Sequence, residues 1–203
     1  MKIIDPYFKI SDGIDGAAML GKVESAGRVC YKSENLAGED SAEKFVAAII
    51  RNGHESVLEH EKISALIVCD RGVSHEIVRH RIASYSQEST RYCNYSKGKF
   101  GGELTFIRPC YWAEGGALYE LWEKQMAAAE ECYLAMLEAG ASPQEARAVL
   151  PNSLKTEIVV TMNLREWRHF FSLRADEAAH PQMRQIALPL REEMRRLVPV
   201  VFD

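Results

Sequence analysis

No stretch of the 203 residues approaches the roughly 18 consecutive apolar positions of a membrane-spanning helix, and the opening Met1-Lys2-Ile3-Ile4-Asp5-Pro6 has no leader-like apolar run. A cytoplasmic protein is expected. The five cysteines, Cys30, Cys69, Cys93, Cys110 and Cys132, are odd in number and include no C-x-x-C pair, which argues against a disulfide framework or a zinc knuckle. Neither G-x-G-x-x-G nor G-x-x-x-x-G-K-[ST] occurs, so the marks of a Rossmann fold and of a P-loop are missing. His54 and His60 are six apart and His75 and His80 five, not the i, i+4 spacing that sets two zinc ligands on one helical face; no metal is expected. Positive charge is also in short supply. With 25 Lys and Arg against 29 Asp and Glu the net charge is -4, which disfavours whole-surface binding to nucleic acid or anionic membrane.

What is present is an ordinary globular composition, 47% hydrophobic and 27% charged, without repeats, low-complexity tracts or a linker, so residues 1–203 are expected to form a single domain. Ile3 and Ile4 open as a strand, and Met19, Leu20 and Val23 follow at helical spacing. Asp40-Ser41-Ala42-Glu43 reads as a capping box for a helix carrying Phe45, Val46, Ile49 and Ile50, stopped by Asn52-Gly53. Ile63 to Cys69 is rich in β-branched residues and reads as a buried strand, followed by a helix over His75 to Ile82. Ser84 to Gly102 is polar and reads as a long ordered loop. Leu118 to Gly140 gives the longest helix, with Leu121, Trp122, Met126, Ala129, Tyr133 and Met136 on one face. Ser142-Pro143-Gln144-Glu145 combines a serine cap, a first-turn proline and a capping-box glutamate. Leu154, Thr156, Ile158, Val160 and Met162 alternate as in a strand; Asn163 caps a helix burying Leu164, Trp167 and Phe171; a last helix begins near Pro181. Trp112, Trp122, Trp167 and the Met126 to Met136 stripe are read as core, and Cys93 as an ordinary buried thiol. The class is α+β, a mixed, largely antiparallel sheet packed with helices and no Rossmann fold.

The most unusual local pattern is Arg79-His80-Arg81, then seven residues, then Ser89 and Arg91. Three guanidiniums and an imidazole within thirteen positions repel one another unless an anion such as a phosphate sits among them, or carboxylates pair with them. A nonenzymatic RNA- or nucleotide-binding module is one reading, with Tyr85, Tyr92 and Tyr95 supplying stacking surfaces beside the arginines. Ser89 has no evident base to take its proton, so a binding role suits it better than that of a nucleophile.

Arg79-His80-Arg81, the seven-residue gap, Ser89 and Arg91 resemble the signature of flavin-dependent thymidylate synthases. His54-Glu55-Ser56 with Glu59-His60, Glu76, Arg147 before Leu150-Pro151, Asn163 with Arg165, and Leu173-Arg174 are similar to further landmarks of that family, in order along most of the chain. The resemblance implies reductive methylation of dUMP to dTMP, with methylenetetrahydrofolate as one-carbon donor, FAD as hydride carrier, NADPH as reductant and tetrahydrofolate released. It implies FAD contacts from Ser56, Arg79, His80, Arg81, Gln87, Asn163, Arg165 and His169. For dUMP it implies Glu76, Arg79, Gln87, Glu88, Ser89, Arg91, Arg147 and Arg174, with Arg174 catalytic at the uracil. It also implies a homotetramer whose active sites are shared between subunits. Gln87 stands where the family often has glutamate, His169 where asparagine is common, and Ala179 to Arg184 where another Ala-Gln pattern is frequent.

Overall fold

The computed structural model describes residues 1–98 and 101–203, so residues 99 and 100 of the loop expected over 84–102 lie outside the described residues. The chain divides into two compact units. The first holds Met1–Tyr7, Ile67–Arg79 and Ser86–Ile158, and the second Phe8–Leu66, His80–Tyr85 and Val159–Asp203.

In the first unit β1 (Lys2–Ile4) pairs in parallel with β5 (Thr105–Ile107), placing Ile3 opposite Phe106. Alternation then turns Phe106 inward, where it joins Tyr95, Leu104, Met126, Tyr133, Ala146 and Leu154 in one apolar cluster. The long helix α4 (Ala117–Glu138) packs there through Met126 and Tyr133, and buries Tyr119 and Ala129 as well. Leu121, expected on that face, is 65% exposed, because the inward stripe runs 119, 126, 129, 133 and leaves Leu118 and Leu121 on the far side. Trp122 and Trp112 are half-buried, and the Trp122 indole donates to Ser153 Oγ at 3.0 Å. Cys93 is half-buried as well; the fully buried thiol is Cys69, whose pKa burial pushes up. The Ser142–Glu145 capping box forms as expected and opens α5 (Pro143–Ala146), which passes into a 3-10 turn at Arg147–Val149.

In the second unit Asp15 caps α1 (Gly16–Tyr31) by accepting from the Ala18 amide at 3.0 Å. The capping box expected at Asp40 is not made. Asp40 is left-handed (φ 63°) and its side chain does not cap α2 (Ser41–Arg51). Ser41 instead donates to buried Glu24 at 2.6 Å, and Glu24 pairs with Arg28 at 2.6 Å, so a tertiary carboxylate outcompetes the local cap. Gly53, at φ 72°, provides the expected stop. Asn163 caps α6 (Leu164–Arg174), its Oδ1 accepting from the Glu166 amide at 2.8 Å. Trp167 is fully buried against Phe170 and Phe171 and donates to the Ile63 carbonyl at 3.0 Å. Two further helices follow, α7 (Pro181–Leu197) and the short α8 (Pro199–Phe202).

A four-stranded antiparallel sheet has the order β2-β3-β6-β4, built from β2 (Tyr7–Ile10), β3 (Lys62–Asp70), β4 (Ala83–Gln87) and β6 (Lys155–Asn163). The expected α+β class is therefore found. Two boundaries differ from expectation. Asp70 ends β3 and caps α3 (Arg71–Ile77) by accepting from the Val73 amide at 2.7 Å, so this helix begins before His75 and stops before Arg79. The polar stretch after Ile82 starts as strand β4, with Ala83, Tyr85 and Gln87 half-buried and Ser84 and Ser86 exposed. Among the described residues no helix is long and apolar enough to cross a membrane.

Candidate functional site

In the second unit, the segment between α3 and β4 carries His80, which is only 5% exposed. Its Nδ1 lies 3.2 Å from Oε1 of Glu166, and its Nε2 accepts from Arg174 Nε at 3.2 Å. An arginine can only donate, so Nε2 must carry the lone pair and Nδ1 the proton that Glu166 accepts. His80 is thus a neutral imidazole in one tautomer. The Tyr85 hydroxyl donates to the His80 carbonyl, and the Phe170 ring lies 4.9 Å away, centroid to centroid. Burial pushes the His80 pKa below its ordinary value; the Glu166 hydrogen bond opposes this, and Arg174 reinforces it.

This shift predicts a pH response. The unfolded chain takes up a proton at His80 near pH 6.5, whereas the folded chain does so only at lower pH. The native state therefore binds fewer protons in that interval, and stability is lost as pH falls below about 6.5 towards the folded pKa. Thermal midpoints followed from pH 8 to pH 5 should fall more steeply for the natural protein than for His80→Gln. Parallel curves would show that His80 is not held neutral.

An open cleft of about 530 Å³ in the same unit is lined by Glu55, Glu59, Ile82, Asn163, Arg165, Glu166, Arg168, His169 and Ser172. It gathers three of the residues expected to touch FAD, Asn163, Arg165 and His169. Ser56 is exposed on the 3-10 turn Glu55–His60 that supplies two of the walls, and Arg81 is exposed outside the lining. Arg165 pairs with Glu59 at 2.6 Å and Arg168 with Glu55 at 3.2 Å, while Nε of Arg168 is buried without a partner. Two guanidiniums, an amide and an imidazole beside the 67% exposed Ile82 form a donor set that suits a ligand with phosphates and a flat apolar part once the guanidiniums turn from Glu59 and Glu55, which line the cleft with Glu166. The donor atoms of His80, Glu166 and His169 also lie within 4.8 Å of one another, a spacing a metal ion could use. The hydrogen bonds oppose that use, because Nε2 is engaged by Arg174 and the Nδ1 that faces Glu166 carries the proton.

The first unit holds most residues expected at dUMP. Glu76 is half-buried on α3, and the exposed Arg79 follows it, its amide donating to the Glu76 carbonyl at 3.3 Å. Gln87 donates through Nε2 to Ser74 Oγ at 2.9 Å and to Thr156 Oγ1 at 3.1 Å, and Ser74 donates onward to the Arg71 carbonyl at 2.9 Å. An ionised carboxylate at this position could not donate to either hydroxyl, whereas the Gln87 amide does so and ties the end of β4 to both. Glu88 accepts from the Tyr95 hydroxyl at 2.8 Å and from Lys155 at 2.9 Å, so its carboxylate is engaged by the fold. Ser89 Oγ accepts from the Arg91 amide at 3.3 Å in a tight turn. Arg91 is exposed with its guanidinium 5.3 Å over the Tyr92 ring, and Arg147 donates to Thr90 Oγ1 at 3.3 Å.

The sequence reading missed Glu166, Phe170, Tyr85 and Lys155 as parts of these networks. A signal for the first two existed: positions 166, 170 and 174 are four apart and share the helical face that buries Trp167. The RNA-binding reading loses its stacking surface. Tyr95 is 6% exposed and committed to Glu88, Tyr85 is half-buried on His80, and only Tyr92, 78% exposed, faces outward.

Residues 18–200 match the family described as thymidylate synthase complementing protein. The flavin-dependent thymidylate synthase of Pyrococcus furiosus is 42% identical over 159 residues, which are 78% of this chain and 64% of that one. Those of Geobacter sulfurreducens and Mycolicibacterium gilvum are 36% and 39% identical, over 89% and 98% of this chain and 79% and 83% of theirs. This chain thus spans about 64% of the length of the Pyrococcus furiosus, Pyrococcus abyssi and Thermococcus onnurineus relatives. A crystal structure of the UMP/dUMP methylase PolB from Streptomyces cacaoi bound with 5-Br dUMP shares the fold, with a TM-score of 0.80, 23% identity and coverage of 100% of this chain and 95% of that one. With the signature at Arg79-His80-Arg81 and Ser89 inside the matched residues, the chain belongs to the family of flavin-dependent thymidylate synthases.

Proposed function

We propose that this chain methylates dUMP to dTMP, with methylenetetrahydrofolate as one-carbon donor and NADPH as reductant, releasing tetrahydrofolate. FAD, when bound, supplies the two electrons that turn the transferred methylene into a methyl group. The observation that carries this reading is the guanidinium of Arg174, whose Nε donates to the buried neutral His80 at 3.2 Å. A guanidinium stays charged while it donates to a neutral imidazole, and its planar fork is oriented by that bond. Set against uracil, it stabilises the negative charge developing at N3 and the adjoining carbonyl, which makes C5 more nucleophilic.

Arg91 and Arg147 read the dUMP phosphate, while Glu76, Gln87, Glu88, Ser89 and Arg79 shape the rest of its site. Asn163, Arg165 and His169 line the FAD cleft, with Ser56, His80, Arg79, Arg81 and Gln87 contributing. Opening the exposed Arg165–Glu59 pair costs little, because surface ion pairs contribute only about 0 to 1 kcal/mol, so Arg165 can turn to a phosphate. Arg79, Arg81 and Arg91 point outward on the single chain, which suits a homotetramer in which neighbouring subunits complete each site. The family match over residues 18–200 runs through segments of both units, which supports the reading of residues 1–203 as one functional domain, and a cytoplasmic setting belongs to the same proposal.

The test is direct. Purified protein should be yellow, should bleach with NADPH, and should form dTMP, detected by chromatography, from dUMP and methylenetetrahydrofolate. A colourless protein that binds oligonucleotides in a salt-dependent manner and makes no dTMP would overturn the reading.

A further inference from the structure

We infer that Glu166 is a positioning residue that aims Arg174 through His80, by holding the proton of that imidazole on Nδ1. Free histidine favours the other neutral tautomer, with its proton on Nε2. In that form Nε2–H and the Arg174 Nε–H would face each other as two donors across 3.2 Å, and Arg174 would have to move. Glu166 prevents this because an acceptor at Nδ1, 3.2 Å away, is satisfied only by Nδ1–H. Its own placement is well fixed: Glu166 is 7% exposed, its amide is tied to Asn163, and it sits in the first turn of α6, where the helix N-terminus favours a carboxylate.

Every side chain that faces the imidazole agrees with this assignment. From α6 come Glu166, His169, Phe170 and Arg174, with the His169 ring 5.5 Å and the Phe170 ring 4.9 Å away; from β4, Tyr85 bonds the backbone carbonyl of His80 and leaves the ring to the other two partners. Among the described residues the ring meets one acceptor, Glu166, and one donor, Arg174. The three therefore form a directional chain, carboxylate to imidazole to guanidinium, whose polarity is set at the carboxylate end. The same logic fixes imidazole orientation wherever a carboxylate buttresses a working histidine.

The consequence for turnover rests on the proposed methylation reaction; the tautomer does not. In the purified protein labelled with 15N histidine, the His80 signals, identified by their loss in His80→Gln, should show a protonated Nδ1 and an unprotonated Nε2. A protonated Nε2 in the natural protein overturns the inference without any Glu166 variant. Glu166→Gln can still accept through its amide oxygen and should keep that pattern and most of kcat. Glu166→Leu offers no acceptor, and should shift the proton to Nε2 and lower kcat by about 10- to 100-fold with a smaller change in KM for dUMP. If Glu166→Leu folds, keeps Nδ1 protonated and turns over normally, Glu166 is only a buried structural acid. If the tautomer behaves as described but the natural protein makes no dTMP, the reaction assignment fails and the tautomer assignment stands.

Discussion

Replacing Arg174 by alanine should lower kcat for dTMP formation by about 10²- to 10³-fold, the usual cost of removing a preorganised group that stabilises developing charge. The expectation is this large because the side chain is already oriented before substrate arrives. Its Nε donates to a neutral imidazole, and it is half-buried, where an electrostatic contact exceeds its value in water. Arg174→Lys should recover little, because a point ammonium cannot donate to His80 and face a planar uracil in the same geometry. Ser89→Ala provides the contrast. The Ser89 hydroxyl accepts from the Arg91 amide at 3.3 Å in a turn, and among the described residues no base is hydrogen-bonded to it, so substantial turnover should survive. Steady-state kinetics on the three variants decide the matter, and an inactive Ser89→Ala beside an active Arg174→Ala would reverse the assignment.

Trp167→Ala should cost about 3 to 5 kcal/mol of folding stability, the range for deleting a fully buried tryptophan. The indole is fully enclosed, contacts Phe170 and Phe171 with ring centroids 5.3 and 5.6 Å away, and satisfies the Ile63 carbonyl of β3. Alanine leaves a cavity and removes the indole's hydrogen bond to β3 together, and α6, which carries Glu166 and Arg174, loses an attachment to that strand. Trp167→Phe keeps most of the apolar surface and loses the hydrogen bond, so a smaller cost is expected. Urea unfolding at a fixed protein concentration measures both. A loss below about 1 kcal/mol for alanine would mean that the helix is held by other means.

Elements with local instructions were readable from the sequence. The Ser142–Glu145 box, the Asn163 cap, the β-branched run of β3 and the alternation of β6 each depend on residues within a turn or two, and each was found where expected. Elements settled by distant partners were not. Ser41 looks like part of a helix cap but is claimed by Glu24, seventeen residues earlier. Strand β4 is too polar to announce itself, as suits an edge strand, where polar side chains discourage unwanted pairing. The candidate site divides in the same way. The arginine pattern was visible as a motif, but the buried carboxylate behind His80 was masked because an acidic residue on a helix is usually read as solvated. Cap and core faces overlap at Glu166, and only the fold reveals which one its side chain serves.

The double hold of Lys155 and Tyr95 on Glu88 bears on attempts to redesign the proposed nucleotide preference. A loop anchored at its root by a half-buried ion pair cannot be repitched as a whole. Changes at Glu88 would unsettle the scaffold before they altered recognition. The tractable positions lie at the rim, where Arg91 and Tyr92 stand in water and can be exchanged without disturbing what supports them.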